Sequence, residues 1–363
     1  MSNVAGLNVM IMAGGTGGHV FPALAVAEQL RIEGANLAWL GTARGIENRL
    51  VPEADIPLHF LRVEGVRGRG ILGLIKAPFL IVYAVMQALQ VMRRERPDVV
   101  LGFGGFASGP GGVAAYLLRK PLVIHEQNAV AGTTNRLLAR IAKRVLAAFP
   151  GAFDNASVVG NPVRSTIAAL LEPRARYRAR ADEKATLRLL VLGGSLGAKA
   201  INELVPEALA QVPVSTRPEV WHQTGKQHAE ATLAHYMQHQ VNAKVEPFIA
   251  DMAAAYAWAD VIICRAGAIT VSEIMAAGVA AVFIPLPSAI DDHQTHNAAI
   301  LANAGAALSF PQQELTAAKL AVLLLTDLAA RDQLLTMAEK ARQLAKPDAA
   351  ATVAAACEEV LNG

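Results

Sequence analysis

The first residues with chemistry to offer are Gly14-Gly15-Thr16-Gly17-Gly18-His19. Glycines in such a turn let main-chain N–H groups approach an anion, and a helix starting at about Val20–Phe21 adds the positive end of its dipole. A phosphate is the expected occupant. A phosphate cradle needs no titratable group, so His19 at its mouth makes a candidate proton acceptor. The helix dipole disfavours its imidazolium form, and a neutral ring is expected near pH 7. Glu126, in His-Glu-Gln-Asn (125–128), is the competing base; its plainer reading is a carboxylate tied to the neighbouring loop backbone. Glu273 ends the run "RAGAITVSE" (265–273), early in a helix. There it suits a ribose diol beside a second phosphate-favouring helix terminus, or simply complements the dipole. His293 and His296 lack the clustered partners that zinc requires.

All these residues follow strands. "NVMIM" (8–12), "NLAWLG" (36–41), "PDVVLGFGG" (97–105) and "PLVIHEQN" (121–128) read as strands alternating with helices, the first helix over Phe21–Glu33. "LRLLVLGGSLGAKAINELVPEAL" (187–209) then repeats the opening plan, and "ADVIICRAGAITVSEIMAAG" (259–278) adds a further strand–loop–helix unit. An α/β fold of two Rossmann-like parallel-sheet domains follows. The boundary falls at "VVGNPVR" (158–164), giving domains 1–164 and 165–344, with a helix of about 345–363 as a candidate to pack back on the first. Ligands of such sheets bind beyond the strands' carboxyl ends, so the polar loops of both halves are expected to face one interdomain cleft. A nicotinamide dinucleotide is a poor fit. The second strand ends in neutral Gly41 and Thr42, where a ribose-binding acid belongs, and Glu33 and Glu47 lie outside that place.

The 363 residues, 53% hydrophobic and 17% charged, suffice for two cores. Cys264 and Cys357 have no metal-type spacing, which fits a reducing compartment, and the N-terminus lacks signal-peptide features, so a cytoplasmic protein is expected. Residues 1–164 carry 17 Lys and Arg against 10 Asp and Glu, and the remainder 16 against 20. The basic half should attract an anionic partner. Phosphate groups and acidic lipid headgroups suit it better than nucleic acid, which is not expected as a partner given the 5% aromatic content and the lack of any binding motif. The apolar stretch 71–96 approaches the roughly 20 residues of a membrane span, but Gly73, Lys76, Pro78, Gln87 and Gln90 interrupt it. Two readings remain for it. Phe79, Val82, Tyr83, Met86 and Leu89 keep helical spacing and suit burial against the sheet. Alternatively Leu72, Leu74, Ile75 and Phe79 beside Lys76, with Arg67, Arg69, Arg93 and Arg94 nearby, suit docking on anionic lipid.

Seven ordered motifs carry a resemblance over essentially the whole chain: "AGGTGGHVFPALAVA", "GFGGFASGP", "HEQNAVAGTTNR", "VVGNPVR", "LGGSLGA", "RAGAITVSEIMAAG" and "DDHQTHNA". In these the chain resembles the MurG family of UDP-N-acetylglucosamine:N-acetylmuramyl-(pentapeptide)-pyrophosphoryl-undecaprenol N-acetylglucosaminyltransferases. The resemblance implies the GT-B fold and inverting transfer of GlcNAc from UDP-GlcNAc to the C4 hydroxyl of MurNAc in lipid I. It implies a peripheral place on the cytoplasmic face of the membrane.

Carried over by motif, Ser195 and Arg164 would contact the donor's phosphates or sugar, and Ile249 the uracil. Ala268, Ile269, Thr270, Val271 and Ser272 would wrap the nucleotide, Glu273 would hold the ribose, and Gln294 the GlcNAc hydroxyls. Thr16, Gly17, Gly18 and Asn128 would reach the same sugar. His19 or Glu126 would take the acceptor's proton. Gly14, Gly15, Gly104, Gly105 and the Ser108 hydroxyl are candidates for the acceptor's diphosphate. Many glycosyltransferases hold a metal with Asp-x-Asp, which this chain lacks. Helix N-termini and main-chain donors would then stabilise the leaving diphosphate, and no metal or cofactor is expected. A UDP-sugar 2-epimerase and a non-catalytic nucleotide-sugar sensor are the rival readings.

Overall fold

Short apolar runs separated by helices can bury both faces of a strand only in a parallel sheet covered on two sides. The computed structural model builds two of them, described over residues 4–63, 70–180, 186–194 and 196–362, side chains excepted at 70–77 and 290. The chain divides into one unit of Met1–Arg164 with Lys346–Gly363 and another of Ser165–Ala345.

The first unit holds β1 (Asn8–Met12), β2 (Asn36–Gly41), β3 (Leu58–Phe60), β4 (Val99–Gly102), β5 (Leu122–Glu126), β6 (Arg144–Ala147) and β7 (Ser157–Val158). Their order is β3-β2-β1-β4-β5-β6-β7, and every pairing is parallel. β1 shows how the sheet is buried. Val9 and Ile11 enter a core shared with the Gly17–Ile32 helix and the last helix, Ala349–Asn362, through Val20, Val26, Val353, Cys357 and Val360. Met10 and Met12 point the other way, into a core with Ala88, Met92, Ala114 and Leu138. The last helix therefore belongs to the first sheet, although residues 165–345 separate it from the rest of that unit.

The second unit holds β8 (Arg188–Leu192), β9 (Glu219–Gln223), β10 (Lys244–Glu246), β11 (Val261–Cys264), β12 (Ala280–Phe283) and β13 (Ala307–Ser309), in the order β10-β9-β8-β11-β12-β13. It too is wholly parallel. Both sheets reverse direction of winding beside their first strand, and such a switch point is where ligands bind. The loops there are those after β1 and β4 in one unit and after β8 and β11 in the other.

Two expectations need correction. The first helix begins at Gly17, a turn earlier than Val20–Phe21, so His19 lies within its first turn. The Gly70–Glu95 helix buries little of the apolar stripe expected of it, Leu89 alone of those five residues packing on the core. Ala84, Ala88 and Met92 face the core, while Phe79, Val82 and Met86 are 77%, 59% and 55% exposed. Ala84 and Ala88 let the helix lie close on its neighbours, while Phe79, Val82 and Met86 are turned outward.

Each unit also locks in a neutral histidine. His125 donates Nε2–H to the Gly160 carbonyl at 2.9 Å and faces the Gln127 amide with Nδ1 at 3.3 Å. Burial pulls its pKa down to about 4. His222 lies between Tyr236 Oη and Asn202 Oδ1, at 2.8 and 3.1 Å, and burial lowers it to about 3. In the unfolded chain both titrate near 6.5. Their folded pKa values are depressed, so the stability tied to the neutral rings is present above about pH 6.5 and lost as pH falls toward 4 and 3. Urea midpoints measured from pH 7 to pH 4.5 should fall steadily, and His222→Gln should flatten that slope while lowering stability at pH 7.

Candidate active-site loops

In the first unit the loop after β1 is held by hydrogen bonds from several neighbouring elements. Ala13 O accepts from the Trp39 indole N–H at 2.8 Å, and Met12 O accepts from Phe103 N at 2.8 Å. The Gly15 amide donates to Glu47 Oε2 at 2.9 Å, while Thr42 N and Oγ1 donate to Glu47 Oε1 at 2.9 and 2.7 Å. Glu47 is fully buried, and Gly14, Gly41 and Gly45 leave room for it: a Cβ on Gly14 would stand 2.6 Å from its Oε1. Gly14 and Gly15 thus serve a carboxylate of the protein itself, and the Gly15 N–H is already engaged. Spacing alone did not single out Glu47; its signal is an acid that closely follows two glycines, Gly41 and Gly45, just after β2.

The loop after β4 lies directly on the first. Gly105 has φ +82, and a Cβ there would collide with the Gly14 carbonyl. Gly104 has φ +92, and a Cβ there would meet His19 Cδ2 and Nε2 at 3.1 and 3.2 Å. These two glycines let the His19 ring rest on the loop, with Nδ1 3.5 Å from Thr16 Oγ1. Ser108 does not fit its expected role. It is buried, and its hydroxyl lies 2.7 Å from Gly104 O and 3.0 Å from Met12 O, so it serves backbone carbonyls and offers no diphosphate donor.

Glu126 ends β5 almost fully buried, with both oxygens occupied. Oε1 accepts from Asn128 N and Nδ2 at 3.0 and 3.2 Å; Oε2 accepts from Gly132 N and Asn135 Nδ2 at 3.1 and 2.9 Å. Four N–H donors to this carboxyl group hold the loop 127–132 in place. This is the loop-tying reading of Glu126. Asn135 and Asn161 finish the arrangement on the His125 and Gln127 carbonyls. Arg164 stacks its guanidinium 5.8 Å from the centre of the Phe21 ring, beside the first turn of the Gly17–Ile32 helix.

In the second unit neutral amides do the same work. Gln223 pairs with Gly194 in both directions at 3.0 Å, fixing the loop that contains Ser195, itself outside the described residues. Gln294 Oε1 accepts from Ala266 N and Leu286 N at 3.2 and 3.0 Å, so a ligand contact falls to its Nε2. Asn297 Nδ2 donates to Ala266 O at 3.1 Å. The helix Ala268–Ala277 begins after Gly267; Ile269 and Thr270 of its first turn are half-buried, while Ala268, Val271 and Ser272 are buried. Ser272 turns its hydroxyl back onto Ala268 O at 2.9 Å. Glu273 is buried in the second turn and accepts from Tyr256 Oη at 3.0 Å. Ile249 buries its side chain just beyond β10. Gln223, Asn297 and Tyr256 are supports that motif reading passed over, because an isolated amide or phenol inside an apolar strand or helix carries no spacing signal.

Two parallel-sheet units with Gly-rich loops at both switch points and a buried acid behind the second are the architecture of a two-domain glycosyltransferase, and the family matches assign that class. Residues 9–147 match the Glycosyltransferase family 28 N-terminal domain, and residues 188–353 match the Glycosyltransferase family 28 C-terminal domain. The chain belongs to that family, in its MurG group. It is 68% identical over 362 residues, 98% of this chain and 99% of the relative, to the UDP-N-acetylglucosamine--N-acetylmuramyl-(pentapeptide) pyrophosphoryl-undecaprenol N-acetylglucosamine transferase of Cellvibrio japonicus. The identically named enzyme of Pseudomonas entomophila is 56% identical, over 99% of each chain. The crystal structure of Acinetobacter baumannii MurG superposes with a TM-score of 0.84 at 48% identity, covering 97% of this chain and 99% of that one. The glycosyltransferase of kitacinnamycin, 16% identical with a TM-score of 0.67, shares the fold.

Removing the Glu47 carboxylate strands the Gly15 and Thr42 donors in a buried place. Glu47→Ala should cost about 1–3 kcal/mol, read as a lower thermal midpoint, and should lower kcat by releasing the loop that carries His19.

Proposed function

We propose that this protein transfers GlcNAc from UDP-GlcNAc to the C4 hydroxyl of MurNAc in undecaprenyl-diphosphate-MurNAc-pentapeptide, yielding lipid II for peptidoglycan synthesis. The near full-length similarity to enzymes bearing that name carries the reading, and both family 28 domains stand in order. The same similarity displaces the epimerase and sensor readings.

In the reaction the acceptor O4 attacks the anomeric carbon as the bond from that carbon to the UDP oxygen breaks. Configuration inverts, UDP leaves with the electron pair, and the hydroxyl proton passes to a base. His19 is that base. It is favoured over Glu126, whose two oxygens are already taken up by four N–H donors from Asn128, Gly132 and Asn135. The second unit holds the donor, with Glu273 on the ribose diol and oriented by Tyr256. Ile249 offers main chain to the uracil, and the amides opening the Ala268–Ala277 helix meet the diphosphate. Arg164, Ser195, Asn128 and the Gln294 amide complete the donor contacts. The absence of any Asp-x-Asp supports transfer without a metal. Gly104 and Gly105 remain the candidates for the acceptor's diphosphate, Gly14 and Gly15 being committed to Glu47.

The acceptor's lipid places the protein at a membrane. Among the described residues no helix is long and apolar enough to cross one. Docking is proposed through the outward face of the Gly70–Glu95 helix, where Phe79, Val82, Tyr83 and Met86 are exposed and Arg93 and Arg94 follow. Tyr116 and Leu117 are exposed on the helix packed beside it. Of the other residues assigned to this face, Arg67, Arg69 and the side chains of Leu72, Leu74, Ile75 and Lys76 lie outside the described residues.

UDP release should require a lipid I analogue and survive EDTA. His19→Ala should lower kcat by roughly 10²–10⁴-fold with UDP affinity kept; equal activity in that variant would refute the assignment of the base. Phe79→Ser/Val82→Ser/Met86→Ser should reduce binding to anionic vesicles in a flotation assay while the thermal midpoint stays within about 1 °C, since exposed positions carry little folding energy.

A further inference from the structure

His235 and His239 stand one helical turn apart at the end of the Ala229–Gln238 helix, where residues four apart share a face. Their Nε2 atoms are 3.1 Å from each other, and the ring centres 4.7 Å. From the end of the neighbouring Lys199–Ala210 helix, Glu207 brings Oε1 to 3.7 Å from His235 Nε2. All three atoms lie within 4.8 Å of one another, a convergence of three ligand-type groups found nowhere else among the described residues.

The spacing has a physical meaning. Ligands about 2.0–2.1 Å from a tetrahedral ion stand about 3.3 Å apart, and 3.1 and 3.7 Å straddle that distance. The rings are half-buried, and the helix phase that presents them is fixed from its inner side. There Tyr236 is buried and hydrogen-bonded to His222. Only one proton can lie between two facing Nε2 atoms, and a carboxylate beside them adds the charge that a dication would neutralise.

We propose that Glu207, His235 and His239 bind a divalent transition-metal ion of the zinc class. Two imidazoles and one carboxylate select Zn²⁺, Ni²⁺ or Cu²⁺ over Mg²⁺ and Ca²⁺, which prefer all-oxygen shells. The fourth position is open to water from a groove of about 440 Å³ that borders His235. The site has no part in sugar transfer. Helices between parallel strands run back along the sheet, so their C-terminal ends lie at the edge away from the loops after β8 and β11. The ion acts as a clamp joining two helices that cover β9 and β8, and its effect is on the stability of the second unit.

The test uses untagged full-length protein stripped with chelator and dialysed, titrated calorimetrically with ZnCl₂ and spectroscopically with CoCl₂. The wild type should bind one equivalent at this site, show visible Co²⁺ absorption, and gain thermal stability with Zn²⁺ but not with Mg²⁺. His235→Ala and His239→Ala should each weaken binding by at least about tenfold and abolish the Zn²⁺-dependent rise in midpoint. Their metal-free midpoints and transfer rates should stay at the wild-type level, which separates a lost ligand from a damaged fold. Wild-type protein that binds no Zn²⁺, or a His235→Ala/His239→Ala variant that binds it as the wild type does, would overturn the proposal.

Discussion

A carboxylate buried without water must be satisfied by donors held in fixed positions, and in the first unit that constraint shapes everything around the switch point. Glu47 accepts from Gly15 and Thr42, and Glu126 from Asn128, Gly132 and Asn135, so two acids set the course of three loops. The glycines follow from this. Positions 14, 41 and 45 are bare because the Glu47 side chain fills the space beside them, and 105 because the neighbouring loop's backbone does. His19 inherits a rigid seat at the junction.

The second unit reaches the same rigidity with another chemistry. Gln223, Gln294 and Asn297 tie its loops through neutral amides, and a buried acid near the switch point, Glu273, is set back in the second turn of its helix. An ionised carboxylate at a helix mouth repels an anion, and the second unit keeps its acid back from that position. The first unit can use carboxylates because each is enclosed by donors and presents its charge to the backbone.

Much of the fold was legible because strand boundaries coincide with apolar runs. β1 and β2 occupy the expected residues, and the repeat of strand, Gly-rich turn and helix correctly announced two parallel sheets. The helix start at Gly17 was not legible, because two glycines in a first turn read as loop by propensity while the loop hydrogen bonds impose helix. The Gly70–Glu95 helix misled for a related reason. Periodicity finds the larger apolar stripe, but close packing selected the alanines. In the candidate site residue types were readable, and so was the loop-tying role of Glu126, but the partners of Ser108 and Glu47 were not. Glu126 and Ser108 have the right chemistry for catalysis and anion binding, yet hydrogen bonds to their own loops consume it.

The last helix carries a consequence for how the protein is made. Val353, Cys357 and Val360 are interior residues of the first unit, yet a ribosome translates them after all of residues 165–345. The second unit can close its sheet as soon as its own residues have emerged. The first must keep the apolar face of β1 and of the Gly17–Ile32 helix incompletely covered until the final turns arrive. Order of synthesis and order of completion are thus reversed. During that interval β1 and the helix that carries His19 are the part of the nascent chain exposed to aggregation and chaperone capture.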